Sequence, residues 1–326
     1  MHMKGGKQAV AALAISAALA GAASAQAQQT IVVPRDYPTI QAALDGAPPG
    51  ATVAIQRGTY TEQLVVRKSV TLRGAGAGQT TIKAPGDLVP LGVHLFSGRP
   101  VSAVVQVTDG AQVTASNLTV SGPIPCAVNT AGIRVLKGAR LDLSDARITR
   151  IEPAEAGCDV LGTVSSGVVV GLPSFQQIDG EAAGGSTAHG RISDVTIERV
   201  AATGIVVIGP FGGPASTATI TGNEIIGGTS VTTLGQAGVS VSFASVARIS
   251  GNTVRNLVCS DPACGNDPVN AFQSSGIIVN APESAGTVVK NNTVTGADIG
   301  IYLFGGTPAF VETRSNRLRN NRFFGI

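Results

Sequence analysis

Gly204-Ile205-Val206-Val207 is one instance of a quartet, glycine followed by an aliphatic residue, any residue and a second aliphatic residue. It recurs as Gly132-Ile133-Arg134-Val135, Gly167-Val168-Val169-Val170, Gly238-Val239-Ser240-Val241, Gly276-Ile277-Ile278-Val279 and Gly300-Ile301-Tyr302-Leu303. Along the chain the intervals are 35, 37, 34, 38 and 24 residues, too short for domains and suited to one coil of a solenoid. A second mark lies between the quartets, with Asn three residues after one apolar position and two before another. It reads Ile220-Asn223-Ile225, Ile249-Asn252-Val254 and Val289-Asn292-Val294, with Thr313-Asn316-Leu318 as a weaker copy. Each unit therefore holds two or three short strands and a tight turn.

An Asn amide donates and accepts at once, so Asn223, Asn252, Asn292 and Asn316 are expected to stack as a hydrogen-bonded ladder. Earlier coils carry Leu118, Ala146 and Val195 at the equivalent point, which confines the ladder to the C-terminal half.

Composition agrees with stacked strands. Charged residues make up 13% of the chain and glycine contributes 42 of 326 residues, a pattern of many turns and a dry interior. Residues 1–25 carry Lys4 and Lys7, an apolar stretch from Ala9 to Ala20 and the small residues Ala23-Ser24-Ala25, and read as a secretory signal peptide. Residues 26–326 are then one domain. Without Lys4 and Lys7, 21 basic residues face 20 acidic ones, which leaves no electrostatic footprint for nucleic acid. The expected location is periplasmic or extracellular, with no membrane span after cleavage.

Four cysteines in an exported chain suggest two disulfides. Cys126 and Cys158 lie before successive quartets, which favours Cys126–Cys158; Cys259 and Cys264 share one loop, which favours Cys259–Cys264. A four-cysteine zinc site is the alternative, disfavoured by the oxidising compartment.

A helix is expected over residues 36–46, where Ile40, Ala43 and Leu44 make an apolar face. It precedes the alternating strands Thr52-Val53-Ala54-Ile55, Gln63-Leu64-Val65-Val66 and Ser69-Val70-Thr71-Leu72. The first coil of a solenoid leaves apolar surface uncovered, and this helix is its expected cap.

Thr39-Ile40-Gln41-Ala42-Ala43-Leu44, then Gly58-Thr59-Tyr60-Thr61-Glu62 and Val70-Thr71-Leu72-Arg73-Gly74, resemble the opening of the pectin-lyase-like superfamily. The similarity is to pectinesterases and to NosD-type and DUF1565-type β-helix proteins, and with the later repeats it covers roughly residues 30–326. It implies an all-β fold, a right-handed parallel β-helix with a short N-terminal capping helix. One such scaffold hosts many chemistries, so the resemblance does not fix an activity.

Enzymes of that superfamily place catalytic side chains on the outer face of the quartet sheet. With the aliphatic residues inward, the outward stripes read Arg134, Val169, Val206, Ser240, Ile278, Tyr302 and, two residues on, Leu136, Gly171, Ile208, Ser242, Asn280, Phe304. Neither holds a carboxylate or a histidine, whereas cleaving or deesterifying an acidic polymer calls for general acid–base groups. The Gln-Asp-Thr, Asp-Phe-Ile-Phe-Gly and Gly-Arg-Pro-Trp segments of pectinesterases are missing; Gly98-Arg99-Pro100 imitates the last, too early. His189-Gly190-Arg191, at the start of an outer strand, only echoes the Gly-His-Gly element of polygalacturonases and reads more as a turn.

No cofactor is implied. The acidic loops holding Glu152, Glu155 and Asp159, or Asp261 and Asp267, offer oxygens for calcium but without a recognisable spacing. The long loops 150–166, 171–190 and 256–275 belong on one side of the solenoid, and the second could cover the apolar stripe. Arg134, Ser240, Ile278, Asn280, Tyr302 and Phe304 are the candidate binding residues. The resulting expectation is a non-catalytic exported protein that presents an elongated surface to an envelope partner or an extracellular polysaccharide. The alternative is a polysaccharide lyase or pectinesterase-like esterase with a displaced site. An unfinished coil at Phe323-Phe324-Gly325-Ile326 suggests end-to-end self-association.

Overall fold

The computed structural model describes residue 2 and residues 29–126, 128–153, 165–178, 185–228, 235–259, 273–305 and 310–323. Nearly all of residues 1–28, residues 324–326 and most of the 150–166 and 256–275 loops lie outside these. Three parallel sheets wind around one apolar axis as a right-handed parallel β-helix. Sheet A runs from Thr30–Val33 and Thr52–Ile55 to Val311–Arg314, and sheet B from Gly58–Thr61 to Arg317–Arg319. Sheet C carries the quartets, in Asn129–Val135, Ser165–Val170, Thr203–Ile208, Ala237–Ser242, Ser275–Asn280 and Ile299–Phe304.

Register explains the quartet. Ile133, Val168, Ile205, Val239, Ile277 and Ile301 are direct cross-strand partners, and all six are buried in the central core. Val135, Val170, Val207, Val241 and Val279 form a second inward row. Sheet B meets them with Ile148, Ile197, Ile225, Val254 and Val294, again in one register line. The quartet glycine sits where these two rows converge. A Cβ on Gly204 would stand 2.6 Å from the Gly238 carbonyl oxygen and 2.8 Å from Cγ2 of Ile225, so no side chain fits.

Sheets A and B join through a two-residue turn. Its first residue takes positive φ, as Asn117 (57°), Asp145 (48°), Asp194 (56°), Gly222 (68°), Gly251 (68°) and Asn291 (56°), residue types that tolerate that region. Its second residue turns inward. In the C-terminal coils it is Asn, and the Nδ2 of Asn223, Asn252 and Asn292 donates to the Oδ1 of the next Asn at 2.9, 2.9 and 3.0 Å. Each Oδ1 also accepts a backbone N–H of the preceding coil, as Asn292 does from Asn252 at 3.0 Å. In the earlier coils buried Leu118, Ala146 and Val195 fill the place.

The helix Ile40–Gly46 covers the first coil with Ile40, Ala43 and Leu44 buried. Thr39 caps it through Oγ1, and Glu62 adds a charged cap by accepting from the amides of Ile40 and Gln41, both at 3.0 Å. The strand Thr30–Val33, ahead of the helix, is a feature the sequence pattern did not announce; it extends sheet A beneath the cap. His189–Ser193 is a strand of sheet A rather than a turn, because it lies in register between Arg140–Ser144 and Ser216–Thr221.

Two substitutions test this core. Asn292→Ala orphans the buried amide of Asn252 and the carbonyl of Ile249, and should lower unfolding free energy by on the order of 3 kcal/mol in chemical denaturation. Gly204→Ala should cost about 1–3 kcal/mol through overpacking; a neutral outcome for either would contradict the packing described.

Candidate functional site

The residue between the two aliphatics of each quartet points away from the axis. Gln106, Arg134, Val169, Val206, Ser240, Ile278 and Tyr302 follow one another as cross-strand partners on the outer face of sheet C. Ile208, Ser242, Asn280 and Phe304 form the adjacent row. All six candidate binding residues therefore share one face, with Arg134 three strands from Ser240, about 14 Å at the usual strand spacing.

The face is divided. Its C-terminal end is open: Ser240, Ile278, Asn280 and Tyr302 are half-buried, Phe304 is exposed, and the rings of Tyr302 and Phe304 lie 5.7 Å apart. Over the other end folds a flap. Gly92–His94 pairs antiparallel with the start of Pro100–Val107 and with Gln176–Ile178, so that two short strands turn back across the sheet. Small outward residues, Ala103 and Ala131, leave room for it, and a second apolar core forms from Leu91, Leu172 and Ile178 against Val169 and Ile208. Residues 171–178 thus do cover part of the apolar stripe, together with a segment before the first quartet.

Beneath the flap lies a cavity of about 280 Å³ lined by His94, Asn129, Thr130, Arg134, Ser166, Val169, Pro173, Phe175, Gln176, Val206 and Ile208. Among the described residues its lining includes no Asp or Glu. Arg134 is 3% exposed; its Nη1 donates to Gln176 Oε1 at 3.1 Å, and its Nε has no partner. The buried Oε1 of Gln106, its neighbour in register, is also unpaired. Burial lowers the Arg134 pKa to about 10, so the guanidinium is charged at neutral pH inside a mostly apolar wall.

An aromatic rim stands over this cavity. Phe175 contacts His94 at 5.3 Å, Phe96 at 6.2 Å, Phe211 at 6.2 Å and Phe243 at 6.4 Å, while Phe211 and Phe243 lie 4.3 Å apart. Phe96 is 85% exposed and Phe211 is 49% exposed. Phe243 holds φ at 59°, a region unfavourable for a bulky side chain, where the register equivalents further along are Ala281 and Gly305. Glu283 stands at this rim, exposed, its carboxylate accepting from the Gly212 amide at 2.8 Å.

His94, Phe175, Gln176, Phe211 and Phe243 are site residues that the sequence pattern did not single out. Phe175, Phe211 and Phe243 follow Val170, Val207 and Val241 of successive quartets by five, four and two residues, a usable but irregular signal. His189 lies elsewhere, on sheet A, with Nδ1 2.8 Å from Thr217 Oγ1. Glu152 pairs with Arg199, whereas Glu155, Asp159, Asp261 and Asp267 are outside the described residues. Among the described residues no three metal-ligating side chains cluster, and no helix is long and apolar enough to cross a membrane. Cys158 and Cys264 are outside the described residues too, so the pairings Cys126–Cys158 and Cys259–Cys264 fall outside them.

Residues 178–326 match a family model described as "Right handed beta helix region". Pectin methylesterase from carrot superposes with a TM-score of 0.51 at 15% identity, covering 91% of this chain and 87% of that one. Pectin methylesterase PemA from Erwinia chrysanthemi gives 0.45 at 12% identity, with 89% of both chains covered. An alginate lyase from Paenibacillus sp. str. FPU-7 gives 0.37 at 15%, covering 91% and 99%. No curated protein matches the sequence. At 15% identity the likeness to the carrot enzyme is one of fold.

Arg134→Met removes a buried charge that has no carboxylate partner, and the variant should be as stable as the natural chain or more so at pH 7. Burial holds the folded-state pKa below the ordinary arginine value, so above about pH 10 the unfolded chain holds the proton more tightly. The natural chain therefore regains stability relative to the variant as pH rises above about 10. Thermal unfolding of the pair across pH 7–11 checks this, and a gap that widens would contradict it.

Proposed function

We propose, on the premise that the chain is a right-handed parallel β-helix of the pectin-lyase-like superfamily, that it is an exported, non-catalytic protein presenting the outer face of sheet C to an extracellular polysaccharide. The observation that carries the reading is the line of rings along one face. Phe96, Phe175, Phe211 and Phe243 form its first half, and Tyr302 with Phe304 its second, two strands or about 10 Å beyond Phe243. Aromatic faces set at such intervals suit the apolar faces of successive sugar units, and a bulky ring held at the positive φ of Phe243 supports a functional use of that ring.

The outward row itself reads Arg134, Val169, Val206, Ser240, Ile278, Tyr302, which supports holding a polymer rather than cutting it. Between the rings, half-buried Ser240 and Asn280 supply hydrogen-bonding groups of the kind sugar hydroxyls require. Export by the segment 1–25, and disulfides Cys126–Cys158 and Cys259–Cys264 formed afterwards, complete the reading.

Affinity electrophoresis of the processed chain in gels containing polygalacturonate, alginate or a neutral glucan tests it. Retardation by at least one polymer is expected, with a severalfold loss for Tyr302→Ala combined with Phe211→Ala. Release of methanol, reducing ends or unsaturated products from any of these polymers would establish an enzyme and overturn the non-catalytic reading.

A further inference from the structure

We infer that the cavity beneath the flap is a site for a compact carboxylate with a mainly apolar body, held by Arg134. The assignment goes beyond polymer binding along the rings and rests on Arg134 and the cavity walls, Phe175 being the ring that the two readings share. It begins with charge. The charge of a residue only 3% exposed needs compensation, and among the described residues no carboxylate lies within ion-pairing distance of it. Its single partner is the neutral amide oxygen of Gln176 at 3.1 Å, and the Nε–H is left without an acceptor. A buried charge left so poorly paired is costly to the folded protein, and among the described residues the lining holds no carboxylate that would relieve the cost.

The geometry of the guanidinium then selects the anion. Its planar fork presents parallel N–H groups that match the two oxygens of a carboxylate, and one of those donors is idle here. The walls select the body attached to it. Val169, Val206, Ile208, Pro173 and the ring of Phe175 face the same space, and they reward an apolar group over one that carries many hydroxyls. A volume of about 280 Å³ falls at the small end of ligand pockets, so the body is limited to roughly one ring or a short branched chain. The flap strands Gly92–His94 and Gln176–Ile178 close the cavity from outside, and Gln176 belongs to both flap and site. Gln176 therefore holds the Arg134 fork in place and would lie beside the carboxylate.

Isothermal titration of the intact protein with cyclohexanecarboxylate, cyclohexanecarboxamide and galacturonate tests the assignment. The carboxylate should bind at least tenfold more tightly than the carboxamide, which keeps shape and loses charge, and more tightly than galacturonate, which keeps charge and gains hydroxyls. Arg134→Met should abolish this binding while the protein stays folded with undiminished thermal stability, an outcome that a merely structural arginine would not give. Val206→Phe should block the site without touching Arg134. Equal affinity for carboxylate and carboxamide, a preference for galacturonate, or full binding by either variant would overturn the inference. Because the comparison of carboxylate with carboxamide uses the natural chain, a variant that fails to fold does not remove the test. Polymer retardation through Tyr302 and Phe211 is scored separately, so either reading can fail while the other stands.

Discussion

Alternation against a narrow apolar axis is the constraint from which the rest follows. In each quartet strand of sheet C two aliphatic side chains are committed to the core, and the residue between them has nowhere to go but outward. Glycine precedes them because the branched side chains of sheet B fill the corner where a Cβ would stand. The outer face is thereby a by-product of core packing, and its chemistry depends on which residue occupies one position per coil. In this chain that position holds one cation, several apolar residues and one serine before Tyr302.

A flat, parallel face of this kind becomes a site through what is added to it. The flap supplies a wall, a second small core and the one amide that touches Arg134. The turns leaving successive quartet strands supply Phe175, Phe211 and Phe243, whose rings meet although their positions in the turns differ. Enclosure changes the meaning of Arg134. On an open sheet it would be a solvated charge, and beneath the flap it is a buried cation with an unsatisfied donor.

The repeats were legible because they recur: six quartets and four asparagines fix the register, the inward rows and the turn without reference to anything distant. The capping helix was legible from its apolar face, although the role of Glu62 as its charged cap was not, since that contact spans 22 residues. The flap left no such trace. Gly92–His94 and Gln176–Ile178 are three-residue strands that occur once, pair antiparallel in an otherwise parallel sheet, and come from segments far apart in the chain. Arg134 was placed on the correct face by alternation, but its burial depends on those unrepeated strands. The aromatic rim escaped notice for a related reason, as turn residues carry no periodicity.

The most direct measurement is the solvent exchange of arginine Nε–H groups by NMR at neutral pH. Alternation plus enclosure predicts that the Nε–H of Arg134 exchanges slowly, assignable by its loss in Arg134→Met, while exposed arginines on the outer face of sheet A, such as Arg73 and Arg191, exchange rapidly. Rapid exchange at Arg134, indistinguishable from those two, would contradict the register, the flap or both.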